Sequence, residues 1–272
     1  MLLWEGQVLT PLDSECKLKL GVKTMRVVSM VPSWTETLLK AGIQVVGRTR
    51  YCVHPPQMIT NIPIVGGTKD VDWRLVQDLR PDIVLLDQEE NPLEMAEECP
   101  LTYIATHVNS VAALQKELER LAEFFENAKL MELSIDCYDV LQAPKPSWDH
   151  NKVPGFLQWV AKPSKKYGRV VYVIWKKPWM GVSKETYIGS VLEMLGAKMV
   201  EFSEGDRYPV LEIEELDDVL FLFSSEPFPF VKKVQELREL GLEGAIVDGE
   251  CYSWFGLRSL EFLKAQILGP PV

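Results

Sequence analysis

The residues of this 272-residue chain that could take part in chemistry are mostly large aromatic rings at the predicted ends of strands. In open parallel α/β sheets, ligands bind outside the carboxyl ends of the strands. In the first half these ends carry Ser33, Trp34, Tyr51, Gly66, Gly67 and Asp87. In the second half they carry Trp175, Trp179, Tyr208, Trp254 and Phe255. Rings in such positions offer apolar area and stacking faces, so the pattern predicts a site for a bulky planar ligand.

Motifs typical of enzymes are missing or weak in the sequence. It contains no G-x-S-x-G, no P-loop, no H-E-x-x-H and no G-x-G-x-x-G after a strand. Gly66-Gly67 follows an apolar run and is a weak candidate for a phosphate-binding loop. Cys52 and His54 are close in the chain, yet their spacing does not establish a nucleophile with its base. We therefore expect no catalytic residues.

Composition narrows the classes of protein further. The 47% hydrophobic and 25% charged content is typical of a soluble globular protein, and the net charge of −10 argues against nucleic acid as a partner. Five scattered cysteines fit reduced thiols better than a disulfide framework. Three histidines far apart in the chain argue against a zinc site built by the protein.

The amino-terminal segment bears on the compartment. It shows no basic n-region and no unbroken apolar run of about 7–15 residues, which a secretion signal requires. The chain also has no run of about 18 apolar residues that could cross a membrane. As written, the sequence predicts a cytoplasmic protein, or a periplasmic one if the true start lies upstream.

Two similar α/β halves position the candidate residues. Residues 26–46 give a strand, a Pro-Ser turn, a helix and a second apolar run, and residues 169–200 repeat that order. Ser33 and Glu36 have the spacing of a capping box. Alternating strands and helices predict parallel sheets, and the apolar spacing of 127–142 predicts a helix that joins two lobes. A cleft between such lobes is a common place for a small ligand.

These patterns define a domain organisation. We predict an extension at 1–25, an N-terminal α/β lobe at 26–126, a connecting helix at 127–145 and a C-terminal α/β lobe at 146–272. Residues 144–166 read as a boundary loop, because prolines interrupt them. In the second lobe we expect strands at 169–175, 197–202, 219–224 and 244–247, with helices at 184–195, 212–217, 230–240 and 257–268.

Four segments suggest a family. They are RVVSMVPSWTETLLKAG, VGRTRYCVHPPQ, IPIVGG followed by LVQDLRPDIVLL, and SWFGLRSLEFLKAQI. Together they resemble the helical-backbone (class III) solute-binding proteins of ABC importers for vitamin B12 and ferric siderophores. The loop V-G-x-T-x-Y-C-x-x-P-P before I-P-x-V-G-G looks most like the cobalamin-binding branch. The resemblance implies two Rossmann-like lobes joined by a single long backbone helix, and a binding role without catalysis.

The resemblance also assigns residues. Tyr51 matches the tyrosine that faces the corrin, and Tyr208 matches an aromatic residue that precedes a proline. Trp254 and Phe255 match a pair in the late cleft loop, Gly66 and Gly67 lie at the cleft floor, and Arg258 is near the pair. The implied ligand is a corrinoid or a ferric chelate, with no built-in cofactor and no metal bound by the protein alone.

Docking on an importer is the remaining implication. Family members present one exposed glutamate on each lobe to arginines of the permease. Glu214 lies at the second-lobe position, whereas Arg74 occupies the first-lobe position and would repel such an arginine. An ABC permease is therefore a doubtful partner. The alternatives are a cytosolic enzyme that reuses the fold, based on Cys52, His54 and Asp87, and an adaptor protein with a vestigial cleft.

Overall fold

The structure is a computed structural model that describes residues 25–269. The predicted extension at 1–25 therefore lies outside the described residues, apart from Met25. Within 25–269, no helix is both long enough and apolar enough to cross a membrane.

The described chain divides into two compact units, each with its own five-stranded sheet. The first unit holds the described residues up to Val108 together with Lys116–Ser134, and the second holds Asn109–Gln115 and the described residues from Ile135 onward. The domain limits predicted at residues 126 and 145 stay predictions.

The first unit is built on a parallel sheet with strand order β3-β2-β1-β4-β5. Its strands are β1 (Arg26–Ser29), β2 (Gln44–Thr49), β3 (Ile64–Gly66), β4 (Ile83–Asp87) and β5 (Tyr103–Thr106). Its short helices are α1 (Pro32–Lys40), α2 (Pro56–Ile59), α3 (Trp73–Asp78) and α4 (Leu93–Glu97). Every residue of β4 is buried, as expected for a central strand covered on both faces.

The start of α1 corrects one prediction. Val31, with extended backbone angles, is the residue before the helix, and Pro32 is its first residue, a position that suits the fixed φ of proline. Ser33 therefore lies inside the helix, and its buried Oγ has no hydrogen-bond partner among the described residues. The predicted capping box of Ser33 and Glu36 is wrong, because proline moved the helix start upstream.

Two 15-residue helices, α5 (Val111–Phe125) and α6 (Ala128–Gln142), contribute residues to both units. The predicted helix at 127–142 corresponds to α6 within one residue. Asn127 caps it, because its side-chain oxygen accepts a hydrogen bond from the Leu130 amide at 3.0 Å. The buried residues of α6 recur every three or four positions, at Leu130, Ser134, Cys137 and Val140.

The second unit has the strand order β6-β10-β9-β7-β8. The strands are β6 (Phe156–Ala161), β7 (Arg169–Trp175), β8 (Met180–Gly181), β9 (Val219–Ser224) and β10 (Gly244–Val247). The prediction of parallel pairing holds for β7, β9 and β10, whereas the edge strands β6 and β8 pair antiparallel. The remaining helices are α7 (Tyr187–Met194), α8 (Val234–Glu239), α9 (Gly249–Ser253) and α10 (Leu257–Ile267).

Several predicted elements of the second unit are shorter or different. The strand expected at 197–202 is reduced to one parallel bridge between Met199 and Val170. The helix expected at 212–217 is a 3-10 turn, Ile213–Glu215, and the helix expected at 230–240 begins as a 3-10 turn, Phe230–Lys233. The boundary loop expected at 144–166 contains β6. This strand was not predicted, because the alternation of apolar and polar residues in it is short and lies between prolines.

Candidate functional site

The end of β2 in the first unit presents an exposed aromatic ring that an ion pair supports. Tyr51 is 55% exposed. Its neighbour Arg50 donates two hydrogen bonds to the Asp70 carboxylate, at 2.8 and 2.6 Å, and its guanidinium carbon lies 5.8 Å from the centre of the Tyr51 ring. The Arg50 side chain lowers the pKa of Asp70 by hydrogen bonding, so the pair stays charged at neutral pH. This ion pair was not predicted from the sequence, because its two residues are 20 positions apart.

Gly66 and Gly67 close a tight turn beside that ring. The Gly66 carbonyl accepts a hydrogen bond from the Arg50 amide at 2.8 Å, and the Gly67 amide donates to the Asp70 carbonyl at 2.9 Å. Gly66 has φ +153°, and a Cβ there would overlap the Asp70 backbone. A Cβ on Gly67 would lie 2.5 Å from Arg50 Nη1 and 3.2 Å from Tyr51 Cε2. Glycine therefore lets the ion pair approach Tyr51.

The same turn argues against the phosphate-loop hypothesis. The Gly67 amide, which would have to point at a phosphate, already donates to Asp70. The Asp70 carboxylate lies next to it and would repel an anion. The glycine pair serves the packing of Tyr51 instead.

A buried polar network joins the ends of β4 and β5. Asp87 accepts hydrogen bonds from the Thr106 hydroxyl at 2.6 Å and from the amides of Glu89 and Val108 at 2.9 and 3.2 Å. The Trp34 indole Nε1 donates to the Thr106 oxygen at 2.8 Å. Burial raises the pKa of Asp87 from its ordinary value of 3.8 to about 7. Trp34 and Asp87 are both fully buried, so the structure places these two predicted ligand contacts inside the unit.

The Cys52 thiol is also buried, which weakens the enzymatic alternative. Its sulfur lies 3.1 Å from the Thr35 hydroxyl and 3.2 Å from the Thr49 hydroxyl. Burial raises the pKa of Cys52, so the thiol is protonated at neutral pH and is a poor nucleophile.

One polar pair near the carboxyl ends of β4 and β5 was not predicted from the sequence. His107 directly follows β5, and its Nε2 lies 2.8 Å from Glu89 Oε1 on the partly exposed surface. The rule of carboxyl strand ends could have found His107, because it directly follows Thr106, the last residue of β5. It adds a polar group at the same end of the sheet as Tyr51 and Gly66.

At the end of β7 in the second unit, two predicted tryptophans differ in exposure. Trp175 is 41% exposed and meets Phe228 edge to face at 5.5 Å. Trp179 is half-buried, stacks on Phe230 at 6.1 Å and packs against the core of the unit. The Lys176 ammonium lies 4.9 Å from the centre of the Trp179 ring and forms an ion pair with Glu236. Of the two indoles, Trp175 has the larger surface available to a ligand.

The other predicted contacts of this unit also vary. Tyr208 is exposed, with the Arg207 guanidinium 5.8 Å from its ring centre. Trp254 is half-buried, and Arg258 lies 5.9 Å from its ring while pairing with Glu250 at 3.3 Å. Phe255 is buried and packs on Tyr187 at 5.8 Å, so the structure places it in the core rather than on a binding surface.

The two docking candidates carry opposite charges on exposed surfaces. Glu214 lies in the 3-10 turn Ile213–Glu215. Arg74 lies in the first turn of α3, where its amide donates to the capping Asp72 carboxylate at 3.0 Å. Their role toward a permease stays a prediction. In the part of the chain that the structure describes, no three His, Cys, Asp or Glu residues are grouped as metal ligands.

Comparisons with known proteins bear on the fold. No protein-family model matches the chain, and no curated protein matches it in sequence. Among solved structures, the chain is similar to the periplasmic vitamin B12-binding protein BtuF of Vibrio cholerae, at 15% identity and a TM-score of 0.68, over 89% of this chain and 94% of that one. It is similar to the periplasmic heme-binding protein HutB of Vibrio cholerae, at 18% identity and a TM-score of 0.66, over 92% and 100% of the two chains.

A third solved structure extends the comparison to another organism. The chain is similar to an ABC transporter substrate-binding protein from Listeria monocytogenes EGD-e, at 19% identity and a TM-score of 0.65, over 91% of this chain and 100% of that one. The chain thus has the two-lobed α/β fold of these binding proteins, which confirms the fold that the sequence resemblance predicted.

Proposed function

We propose that this protein is a solute-binding protein that holds a bulky metal chelate, most specifically a corrinoid, without catalysing a reaction. The observation that carries the proposal is the exposed Tyr51 ring, which Arg50, Asp70 and Gly67 support at the carboxyl end of a parallel sheet. It lies in the loop whose sequence resembles the cobalamin-binding branch. Solved proteins of the same fold that bind vitamin B12 or heme support a flat macrocycle as the ligand.

The physical reason is that a ring held in place stacks at low entropic cost. The Arg50 guanidinium lies against Tyr51, and the Gly67 turn brings the ion pair close to it. A side chain that is already ordered loses less freedom on binding, a saving of about 0.5–1.5 kcal/mol. Stacking against a planar ligand then adds apolar burial and contact between ring faces.

In the second unit, taken by itself, Trp175 and Tyr208 expose rings of the same kind. We propose that the contacting residues are Tyr51, Gly66, Trp175, Tyr208, Trp254 and Arg258. Other residues are then supporting residues, because they are buried or packed against a core: Ser33, Trp34, Gly67, Asp87, Trp179 and Phe255. In this proposal the metal enters as part of the ligand.

Docking on a permease is a separate question from binding. A transporter surface with an arginine for each lobe would attract the exposed Glu214 and repel the exposed Arg74. We therefore propose that solute binding does not depend on an importer of that type.

The test is an absorbance titration of the purified protein with cobalamin, cobinamide, heme and a ferric siderophore. We expect a saturable spectral change with a corrinoid. Tyr51→Ala should weaken binding about tenfold, because about 1.4 kcal/mol of stacking is lost. Tyr138→Ala is the matched control, since Tyr138 is 53% exposed but lies on α6, far along the chain from any strand end.

The outcomes separate the parts of the proposal. Binding of heme or the siderophore alone would make the corrinoid assignment wrong and leave chelate binding in place. No spectral change with any of the four chelates would refute the proposed function. Gly67→Ala should weaken binding as well, because its Cβ displaces Arg50 from Tyr51.

A further inference from the structure

A cavity lies at the opposite end of the second unit's parallel strands from the strand-end residues described above. Its volume is about 450 Å³, and it is lined by residues 147–151 and 163–166. The second of these loops follows Ala161, which pairs with Gly244 at the start of β10. The cavity is thus near the amino ends of the parallel strands, whereas Trp175 and Ser224 lie at the carboxyl ends of β7 and β9.

Two contacts hold the cavity walls in place. Glu243 Oε2 accepts hydrogen bonds from the Ser164 amide and from the Tyr167 hydroxyl, each at 2.6 Å. On the other wall, Gly196, with φ +77°, allows the Pro146 carbonyl to approach so closely that a Cβ would overlap it. The two loops are therefore fixed by the fold, as expected of a preformed binding site.

Two polar atoms of the cavity residues lack partners. His150 is only 8% exposed, and its Nδ1 has no hydrogen-bond partner among residues 25–269. The indole Nε1 of Trp148 is also buried and has no hydrogen-bond partner among residues 25–269. Leaving a buried polar group without a partner costs about 1–3 kcal/mol, which a ligand with acceptor oxygens would recover.

The charges around these atoms favour an anion. Lys165 and Lys166 line the cavity, and Asp149 is the single acid in its lining. Lys165 pairs with Asp218 at 3.4 Å, whereas Lys166 forms no ion pair within the described part of the chain. Burial and, after it, the Lys166 charge lower the pKa of His150, whereas the charges of Asp149 and Asp218 act in the opposite direction.

We propose that this cavity binds a small molecule in which an oxyanion, a carboxylate or a phosphate, is carried on a flat ring system. Lys166, the His150 imidazole and the Trp148 N–H bind the oxyanion, and the faces of Trp148 and Pro163 contact the ring. The volume lies in the range of about 300–1,000 Å³ that is usual for small-molecule sites. The site is independent of the proposed chelate binding.

Isothermal titration of the full chain tests the proposal. The probes are adenosine monophosphate for a ring-bearing phosphate and indole-3-acetate for a ring-bearing carboxylate, with adenosine and inorganic phosphate as controls that lack one feature each. We expect at least one ring-bearing anion to bind at least about tenfold more tightly than either control, since a hydrogen bond to a charged group contributes about 1.5–3 kcal/mol. Whichever of the two anions binds more tightly shows whether the oxyanion is a phosphate or a carboxylate.

Matched variants locate the binding. Lys166→Gln should weaken it about three- to tenfold, whereas Lys162→Gln, the same charge change on an exposed lysine outside the cavity lining, should have no effect. His150→Phe should also weaken the binding, and its urea unfolding should be unchanged or shifted to higher urea, because an unpartnered nitrogen is removed.

Three results would overturn the proposal. One is the absence of heat with both ring-bearing anions at millimolar concentration, and another is an affinity for adenosine equal to that for the tighter-binding ring-bearing anion. The third is equal weakening by Lys166→Gln and Lys162→Gln. Lys166 is exposed, so its variant decides the question even if the His150 variant does not fold. Chelate binding should be unchanged in every one of these variants.

Discussion

Each unit has a tryptophan at or soon after the end of a corresponding strand, β1 in the first unit and β7 in the second. The two tryptophans differ in burial. Trp34, in the helix that follows β1, is 0% exposed, and Trp175, the last residue of β7, is 41% exposed. The indole of Trp34 donates to Thr106, which donates in turn to Asp87. Trp175 contacts the edge of Phe228 instead.

The difference shows that a strand end does not by itself make a residue a ligand contact. In the first unit the buried Thr106 oxygen accepts the hydrogen bond of the indole N–H, and Asp87 in turn accepts from the Thr106 hydroxyl, so the ring joins the core. In the second unit Trp179, Phe223 and Phe230 pack on one another, and Trp175 contacts Phe228 at the border of this cluster. Trp175 is left at the surface.

The largest expected effect comes from removing each of the two rings. Trp34→Ala should lower the free energy of unfolding by about 3–5 kcal/mol, because a fully buried ring leaves a cavity. Trp175→Ala should lower it by about 1 kcal/mol or less, since the residue is 41% exposed and its ring has one aromatic contact. Urea unfolding of both variants measures the difference.

Trp34→Phe serves as the control for that pair. It keeps most of the buried area and removes the hydrogen bond to Thr106, so we expect a smaller loss than in Trp34→Ala, of about 1–2 kcal/mol. Equal destabilisation by the two alanine variants would contradict the proposed difference between the units.

The second prediction concerns the buried acid of the first unit. Because burial raises the pKa of Asp87 to about 7, the folded state binds this proton more tightly than the unfolded state does. The contribution of Asp87 to the free energy of unfolding should therefore fall as pH rises from about 4 to about 7, by at most about 4 kcal/mol. Asp87→Asn removes this dependence, so the difference between wild type and variant should shrink with rising pH.

Asp78→Asn is the matched control, because Asp78 is exposed at the end of α3. Its profile of unfolding free energy against pH should run parallel to that of the wild type. Parallel profiles for Asp87→Asn as well would mean that the folded state does not hold the Asp87 proton.

The same comparison shows what could be predicted from the sequence. The continuous apolar runs of β1, β4, β9 and β10 mark buried central strands, and all four were placed within a few residues. The edge strands β6 and β8 were not predicted, because β6 is only partly buried and β8 has only two residues. The capping box failed because Pro32 competes with Ser33 for the helix start.

For the candidate site, position along the chain could be predicted and orientation could not. The rule of carboxyl strand ends selected Tyr51, Trp34 and Trp175 alike. Whether each ring is buried depends on partners distant in sequence, such as Thr106, 72 residues from Trp34, and Asp70, 20 residues from Arg50. A single sequence does not display such pairings.

The smallest expected effect concerns the charged pair at the rim of the second unit's aromatic cluster. Lys176 is largely buried over Trp179, and it pairs with the more exposed Glu236, whose pKa it lowers by hydrogen bonding. A lowered folded pKa contributes stability above the unfolded value, which is lost as pH falls through the folded value. Glu236→Gln should therefore destabilise the protein slightly at neutral pH and not at about pH 3, the opposite trend to Asp87. Urea unfolding at both pH values measures this, with the exposed Glu201→Gln as control, and equal destabilisation at both pH values would show that the pair is not what stabilises the rim.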